Sequence, residues 1–234
     1  MKFRIERKGA VGDHVDRALA NYPRLVWLTS MVIDLFASPI RRIAGHKQPA
    51  NIIVRPGGSG VNGGRVASTE GVSCGLIGVL GPMLAEAYRT LVAPLGLKTF
   101  TTIRADGLES IAMAFPNGEP GTYEQYIQRS KVREEDVHGE AQLALDAAEA
   151  AVVGPIADPD EDTIQLYRRI AASVPLKGLL PHETLLSHEC FPEIGELFDY
   201  VQINGDEARR LDSSTDDVDL LALRFRHLLG DHTE

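Results

Sequence analysis

Little in this chain speaks for secretion, a metal centre or a membrane. Only two cysteines occur among 234 residues, Cys74 and Cys190. They lack the spacing of metal-ligand pairs, and each stands beside apolar residues. Two buried free thiols are the expectation, with a disulfide as the alternative. The N-terminal run Met1-Lys2-Phe3-Arg4-Ile5-Glu6-Arg7-Lys8 has no apolar stretch behind its charges, so it is not a secretory signal. The longest uncharged run, Gly71 to Ala85, is too short for a bilayer and is broken by glycines and a proline. A soluble, cytoplasmic protein is the default expectation. Positive charge is also scarce, with 24 Lys and Arg against 33 Asp and Glu, a net charge of −9. That balance argues against nonspecific nucleic-acid binding and leaves room for a local basic pocket. His182 and His188 flank Leu185 and Leu186 without forming H-E-x-x-H, and no internal repeat or low-complexity tract is found.

What is present is an ordinary globular composition, 44% hydrophobic and 24% charged, in a chain long enough to bury a substantial core. Apolar runs alternate with helical periodicity, which predicts an α/β fold built on a doubly wound sheet. Strands are expected at Leu25–Ile33, Asn51–Val54, Val72–Leu80, Ala151–Ile156, Leu176–Leu180 and Tyr200–Ile203. Helices are expected near Val11–Leu19, from the glycine run to about Glu70, over Met83–Leu95, over Glu134–Ala150 and from an Asp158-Pro159 cap to about Ser173. A last helix is expected from Thr215 or Asp216 to Leu229. It carries Leu220, Leu221, Leu223, Phe225, Leu228 and Leu229, more apolar surface than one narrow stripe needs. Residues 97–127 alternate apolar and polar side chains around an Asn117-Gly118 turn, the pattern of antiparallel strands exposed on one face. Residues 1–23 read as an N-terminal extension. Residues 24–234 read as one α/β domain with lid strands near 35–56 and 97–127.

Three places carry candidate chemistry. Asp34 follows the first strand, where a carboxylate could accept hydrogen bonds from ligand hydroxyls or simply cap a turn. The stretch Pro56-Gly57-Gly58-Ser59-Gly60-Val61-Asn62-Gly63-Gly64 contains G-x-G-x-x-G. A dinucleotide site would need an acid at the end of the next strand, and that strand ends Gly78-Val79-Leu80-Gly81-Pro82. A nicotinamide-dependent oxidoreductase is therefore a distant alternative, and a turn needing positive φ is the plain one. Asn204-Gly205-Asp206-Glu207 follows the last strand, as an Asn turn with acids in a first helical turn would. Asp158, Asp160, Glu161 and Asp162 read as complements to a helix N-terminus.

Together these residues resemble the ribokinase-like (PfkB) carbohydrate and nucleoside kinases. Gly57, Gly58 and Asn62 fall on a Gly-Gly-x-x-x-Asn stretch that opens a helix beside the sugar. Asp34 matches a substrate-binding Asp, and Asn204 with Glu207 matches Asn-x-x-Glu. Asp106-Gly107, Ser110 and Ala112 to Phe115 resemble the strands that cover the sugar. The resemblance implies a three-layer α/β/α sandwich with a small β-strand lid. It implies ATP- and Mg²⁺-dependent phosphorylation of a sugar or nucleoside hydroxyl. Asp34, Gly57, Gly58 and Asn62 would bind substrate. Asn204 and Glu207 would serve ATP, with Glu207 in the outer shell of Mg²⁺. A homodimer through the lid is an assembly that it allows, with neither nucleic acid nor membrane as partner. The chain departs from the pattern at Ser30 (usually Gly), at Pro82 (usually Asp) and at Pro181-His182 after a strand that usually ends in Asp. It also lacks the Gly-Ala-Gly-Asp helix start that carries the catalytic base. It therefore reads as a copy lacking the C-terminal part, incomplete or inactive, with no residue assignable as base. The alternative is a non-catalytic protein of this fold that binds a sugar or a protein partner.

Overall fold

The computed structural model describes residues 21–39, 50–105, 109–116, 123–156, 159–204 and 207–209. The expected segments near Val11–Leu19 and Thr215–Leu229, the Asn117-Gly118 turn, Asp106-Gly107 and Asp158 lie outside them. Among the described residues no helix is long and apolar enough to cross a membrane.

Among the described residues ten strands, arranged in two sheets, and six α-helices follow one another. The strands are β1 (Leu25–Leu28), β2 (Val32–Pro39), β3 (Ala50–Gly57), β4 (Cys74–Leu80), β5 (Lys98–Ile103), β6 (Ile111–Pro116), β7 (Tyr123–Gln128), β8 (Ala150–Val153), β9 (Leu176–Leu179) and β10 (Tyr200–Val201). The helices are α1 (Ser59–Thr69), α2 (Ala85–Val92), α3 (Glu140–Ala147), α4 (Glu161–Ser173), α5 (Glu183–Leu186) and α6 (Phe191–Gly195). The main sheet runs β10-β9-β8-β1-β4-β5, with every pairing parallel. The second runs β3-β2-β6-β7.

Parallel strands in a sheet covered on both faces read as unbroken apolar runs. β4, Cys-Gly-Leu-Ile-Gly-Val-Leu, is buried at every residue. Val26, Leu28, Ile77 and Val79 point to one face and meet α3, α4, α5 and α6. Leu76, Leu80, Leu25 and Trp27 point to the other and meet α1 and α2. Two apolar clusters thus sandwich the sheet, which makes the three-layer α/β/α architecture. Cys74 is buried and Cys190 half-buried, both as free thiols.

The structure differs from the sequence expectations at several points. The run 25–33 is two strands. β1 ends at Leu28, and Asp34 lies inside β2, in the second sheet. Residues 98–103 belong to the main sheet, paired parallel with β4, and not to the lid. The second sheet is mixed. β2 and β6 pair parallel because each enters from the same edge of the main sheet, after β1 and β5. Ala50 to Arg55 are all exposed, so β3 is open on both faces. The helix expected over Glu134–Ala150 is a 3-10 turn at Glu134–Asp136 followed by α3, with β8 already begun at Ala150. The cap of α4 is Asp160, two residues beyond the expected Asp158. Its carboxylate accepts from the Thr163 backbone N–H at 3.0 Å and from Thr163 Oγ1 at 2.8 Å. Burial opposes ionisation of Asp160. The Lys131 ion pair and the Thr163 bonds outweigh it and hold the pKa down at about 2.

Packing explains most of the glycines in α1. A side chain at Gly60 would strike Thr29, and one at Gly63 would overlap the Trp27 indole. One at Gly64 would press on Leu97. Helix propensity alone predicts that Gly63→Ala stabilises by up to about 1 kcal/mol. The indole predicts the opposite sign, a loss of roughly 1–3 kcal/mol from overpacking. Urea unfolding followed by circular dichroism checks the sign, and a raised midpoint would contradict the packing account.

Candidate substrate site between the two sheets

Thr29-Ser30, Gly154-Pro155, Pro181-His182 and Asn204 follow β1, β8, β9 and β10, so they share the C-terminal edge of the parallel sheet. Open α/β sheets bind ligands at that edge. The edge at β1 is tightly knitted. The Thr29 N–H donates to the Ile77 carbonyl at 3.0 Å, and Ser30 Oγ donates to the Pro155 carbonyl at 2.7 Å. Thr29 Oγ1 and Ser59 Oγ lie 3.4 Å apart. Ser30, where the resemblance expects glycine, is 4% exposed with its hydroxyl satisfied by this bond.

A cavity of about 100 Å³ opens above this floor, between the two sheets. The floor comes from Thr29, Ser30, Gly58, Ser59 and Pro155. The second sheet contributes Val32, Asp34, Ala112, Ile127 and Arg129. Register places them together: Asp34 pairs with Ala112, and Ala112 with Ile127, so the three form one row across β2, β6 and β7. Ile127 and Arg129 also line an adjoining cavity of about 510 Å³ with Ser130, Lys131, Ile156, Asp160 and His182.

Asp34 is the chemical centre of the smaller cavity. Its carboxylate lies where a side chain at Gly57 would be, so any larger residue at position 57 would collide with it. Gly58 has φ 95°, and a Cβ there would come within 2.6 Å of the Ser30 carbonyl oxygen. Only glycine combines that backbone with that approach. Arg55 stands opposite Asp34 in register, yet its guanidinium sits over the Phe36 ring, 5.8 Å from the centroid. Among the described residues none donates a hydrogen bond to Asp34, and burial alone raises its pKa. Tyr88, wholly buried beneath the second sheet, has no hydrogen-bond partner for its hydroxyl among the described residues. Its pKa is raised by burial and then by the Asp34 charge.

The other expected residues stand apart from this cavity. Asn62 is exposed on α1, one turn beyond Gly58, and is not among the lining residues. Asn204 and Glu207 form a capping box. The Asn204 N–H donates to Glu207 Oε2 and the Glu207 N–H to Asn204 Oδ1, each at 2.8 Å. Glu207 Oε1 has no partner among the described residues. It suits a bond to a metal-bound water better than a place in a direct cage, which takes several oxygen ligands. Among the described residues no three His, Cys, Asp or Glu side chains gather as metal ligands. Beside Pro82 the structure places an acid from another segment. Glu109 reaches Gly81 and accepts from the Met83 N–H at 2.7 Å and the Leu84 N–H at 3.3 Å. Sequence reasoning missed Thr29, Arg129 and Pro155, which belong to no motif, and gave Ser59 no role although it sits in the glycine run; they come together only when the two sheets meet.

The raised pKa of Asp34 has a consequence for stability. The folded chain holds the proton more tightly than the unfolded one. Asp34 therefore costs least at acid pH, and stability falls as pH rises from the ordinary carboxyl range through the raised folded value. Asp34→Asn removes the charge and keeps the shape. It should unfold at a higher temperature than the parent at pH 7, with the difference vanishing toward pH 3. Paired calorimetric melts across that range check it, and a variant less stable at pH 7 would contradict it.

No family model matches the sequence, and no curated protein matches it. Solved structures do. Phosphofructokinase-2 from Escherichia coli, in complex with fructose-6-phosphate, superposes with a TM-score of 0.67 at 19% identity, over 88% of this chain and 70% of that one. Adenosine kinase from Anopheles gambiae, in complex with P1,P4-di(adenosine-5) tetraphosphate, gives 0.68 at 16% identity, over 92% and 76%. A protein described as a sugar kinase, from Clostridium perfringens, gives 0.63 at 15% identity, over 89% and 68%. At such identities the likeness is one of architecture: this chain has the ribokinase-like α/β fold, which it shares with carbohydrate and nucleoside kinases.

Proposed function

We propose that this chain binds a sugar or a nucleoside in the cavity at Asp34, on a fold that serves phosphorylation of one of the ligand's hydroxyls by ATP. The observation that carries the reading is the Asp34 carboxylate, half-buried, facing a cavity and accepting no hydrogen bond from a described residue. A carboxylate has two acceptor oxygens, and adjacent hydroxyls on a polyol offer two donors to match them. Gly57 and Gly58 keep the backbone low enough for a ring to approach. Asn62, exposed on α1, would reach the part of a ligand that extends beyond the cavity.

In this reading ATP supplies the phosphoryl group, and Mg²⁺ offsets the charge of its phosphates. Asn204 and Glu207 would stand on the nucleotide side, at the same sheet edge, with Glu207 Oε1 turned to the metal's water shell. The residues named here bind and orient; none is assigned as the base. The capping box favours a second reading, in which the fold binds its ligand without transferring phosphate. Both polar groups of the Asn-x-x-Glu motif are then spent on starting a helix. Two copies could pair through the second sheet, where Ile52, Ile53, Val54 and Tyr126 are exposed.

Isothermal titration against a panel of hexoses, pentoses and nucleosides tests the binding site. One polyol should bind, and Asp34→Asn should weaken it by on the order of tenfold to a hundredfold, since hydrogen bonds to a charged group are worth about 1.5–3 kcal/mol. Equal affinity for parent and variant would contradict the site. ADP release with ATP, Mg²⁺ and the bound polyol then separates a kinase from a binding protein.

A further inference from the structure

The Asp34 cavity is too small to hold a whole sugar or nucleoside. It measures about 100 Å³, whereas cavities that bind small molecules run to roughly 300–1,000 Å³. The rest of a ligand must enter the adjoining cavity of about 510 Å³, which shares Ile127 and Arg129 with the first. The lining of that second space therefore decides what else the ligand carries.

Among the described residues that lining has two permanent cations, Arg129 and Lys131, together with His182, against one carboxylate, Asp160. The excess stands out in a chain of net charge −9. A cleft lined by charge of one sign concentrates ions of the other. Ile127, Arg129 and Lys131 take alternate positions where the chain leaves β7, and all three face the cavity. Backbone bonds pin the stretch on both sides of Lys131. The Ser130 N–H donates to Ser110 Oγ at 2.7 Å, and the Val132 N–H donates to the Ile156 carbonyl at 3.4 Å. The cations are thus mounted on fixed backbone.

Asp160 does not use up their donors. Its Oδ2 takes one of the three N–H groups of the Lys131 ammonium, while Oδ1 holds Thr163. The Arg129 guanidinium has five N–H donors in a planar fork that fits the oxygens of a carboxylate or a phosphate. His182 Nδ1 accepts from the Thr184 N–H at the start of α5, which leaves the ring hydrogen on Nε2 as a further donor.

We infer, on the reading that Asp34 holds hydroxyls, that the ligand is a polyol bearing an anionic group, a phosphate ester or a carboxylate. The anionic group lies in the adjoining cavity against Arg129 and Lys131. Arg129, which lines both cavities, then selects sugar phosphates or sugar acids over neutral sugars and nucleosides.

Isothermal titration without ATP or Mg²⁺ tests this with matched sets: glucose, gluconate and glucose 6-phosphate; ribose, ribonate and ribose 5-phosphate; fructose and fructose 6-phosphate. One anionic member should bind at least about tenfold tighter than its neutral parent, and Arg129→Gln should erase that advantage. Preference for the ester or for the acid identifies the anion, and either supports the inference. Equal affinity for neutral and anionic members, weakened alike by Asp34→Asn, would overturn it and leave the Asp34 site standing. An anionic member weakened by Arg129→Gln but not by Asp34→Asn would remove the Asp34 reading and the inference with it, as would binding by no member. ATP alone that shows the same dependence on Arg129 and competes with the anionic sugar would assign the cavity to the nucleotide and overturn the inference. A second measurement needs no variant. Raising the ionic strength from about 0.05 M to about 0.5 M should weaken the anionic member several times more than its neutral parent, because salt screens charge pairs. Equal weakening would contradict the inference.

Discussion

The crossing of the chain from one sheet to the other, at Thr29, Ser30 and Met31, is the constraint on which the site depends. β1 must stop at Leu28 while β4 continues to Leu80, and the backbone must pass between β4 and β8 without leaving polar groups unpaired. It does so through the Thr29 bond to Ile77 and the Ser30 bonds to Pro155, while the Gly154 N–H donates to Leu28 at 2.8 Å. The passage has no room for side chains alongside. A Cβ at Gly78 would meet the Thr29 carbonyl, one at Gly58 the Ser30 carbonyl and one at Gly154 the Ser59 hydroxyl. Three glycines from three separate segments are therefore needed so that one strand can leave the main sheet and deliver Asp34 to the second.

That delivery has an electrostatic cost, and the cost gives the site its chemical character. A carboxylate brought into partial burial normally finds a donor, because a buried unpaired charge is expensive. Here the nearest cation across the strand pair is drawn over Phe36, and Gly57 contributes only space. A group held this way stabilises nothing in the fold by itself. In the proposed reading a ligand's hydroxyls supply the donors that no described residue offers. The Asp160 carboxylate near the adjoining cavity shows the contrast: held by Lys131 and by Thr163, it caps α4 and keeps a depressed pKa. One acid is spent on structure, and the other is kept open.

Much of the architecture was legible in the sequence, because buried parallel strands and amphipathic helices leave strong periodic signals. β4, α1, α2 with the 3-10 turn that Gly96 closes, and the end of α4 fall where the pattern puts them. The break within 25–33 was not legible. Val, Trp, Leu, Met and Ile continue across it, and what ends β1 is the crossing to the second sheet through Thr29 and Ser30, a tertiary effect. Lys98–Ile103 alternates like a lid strand but pairs with β4, since alternation reports half-burial and not the partner. The glycine run was readable as a special place but not as two different ones. Gly60 and Gly63 answer to Thr29 and Trp27, and only Gly57 and Gly58 answer to the cavity. The Asn204 and Glu207 pattern was readable as a helix start, and their reciprocal bonds show that cap.

The central claim is that Asp34 is an ionisable group waiting for hydroxyl donors, and its own titration tests that claim most directly. Carbon-13 NMR of the labelled side-chain carboxyl follows Asp34 with pH, free and saturated with a bound polyol. The account predicts a pKa above the ordinary carboxyl value in the free chain, because burial disfavours the charge, and a clear fall on binding, because donated hydrogen bonds favour it. An ordinary value in the free chain that does not move when ligand binds would contradict it.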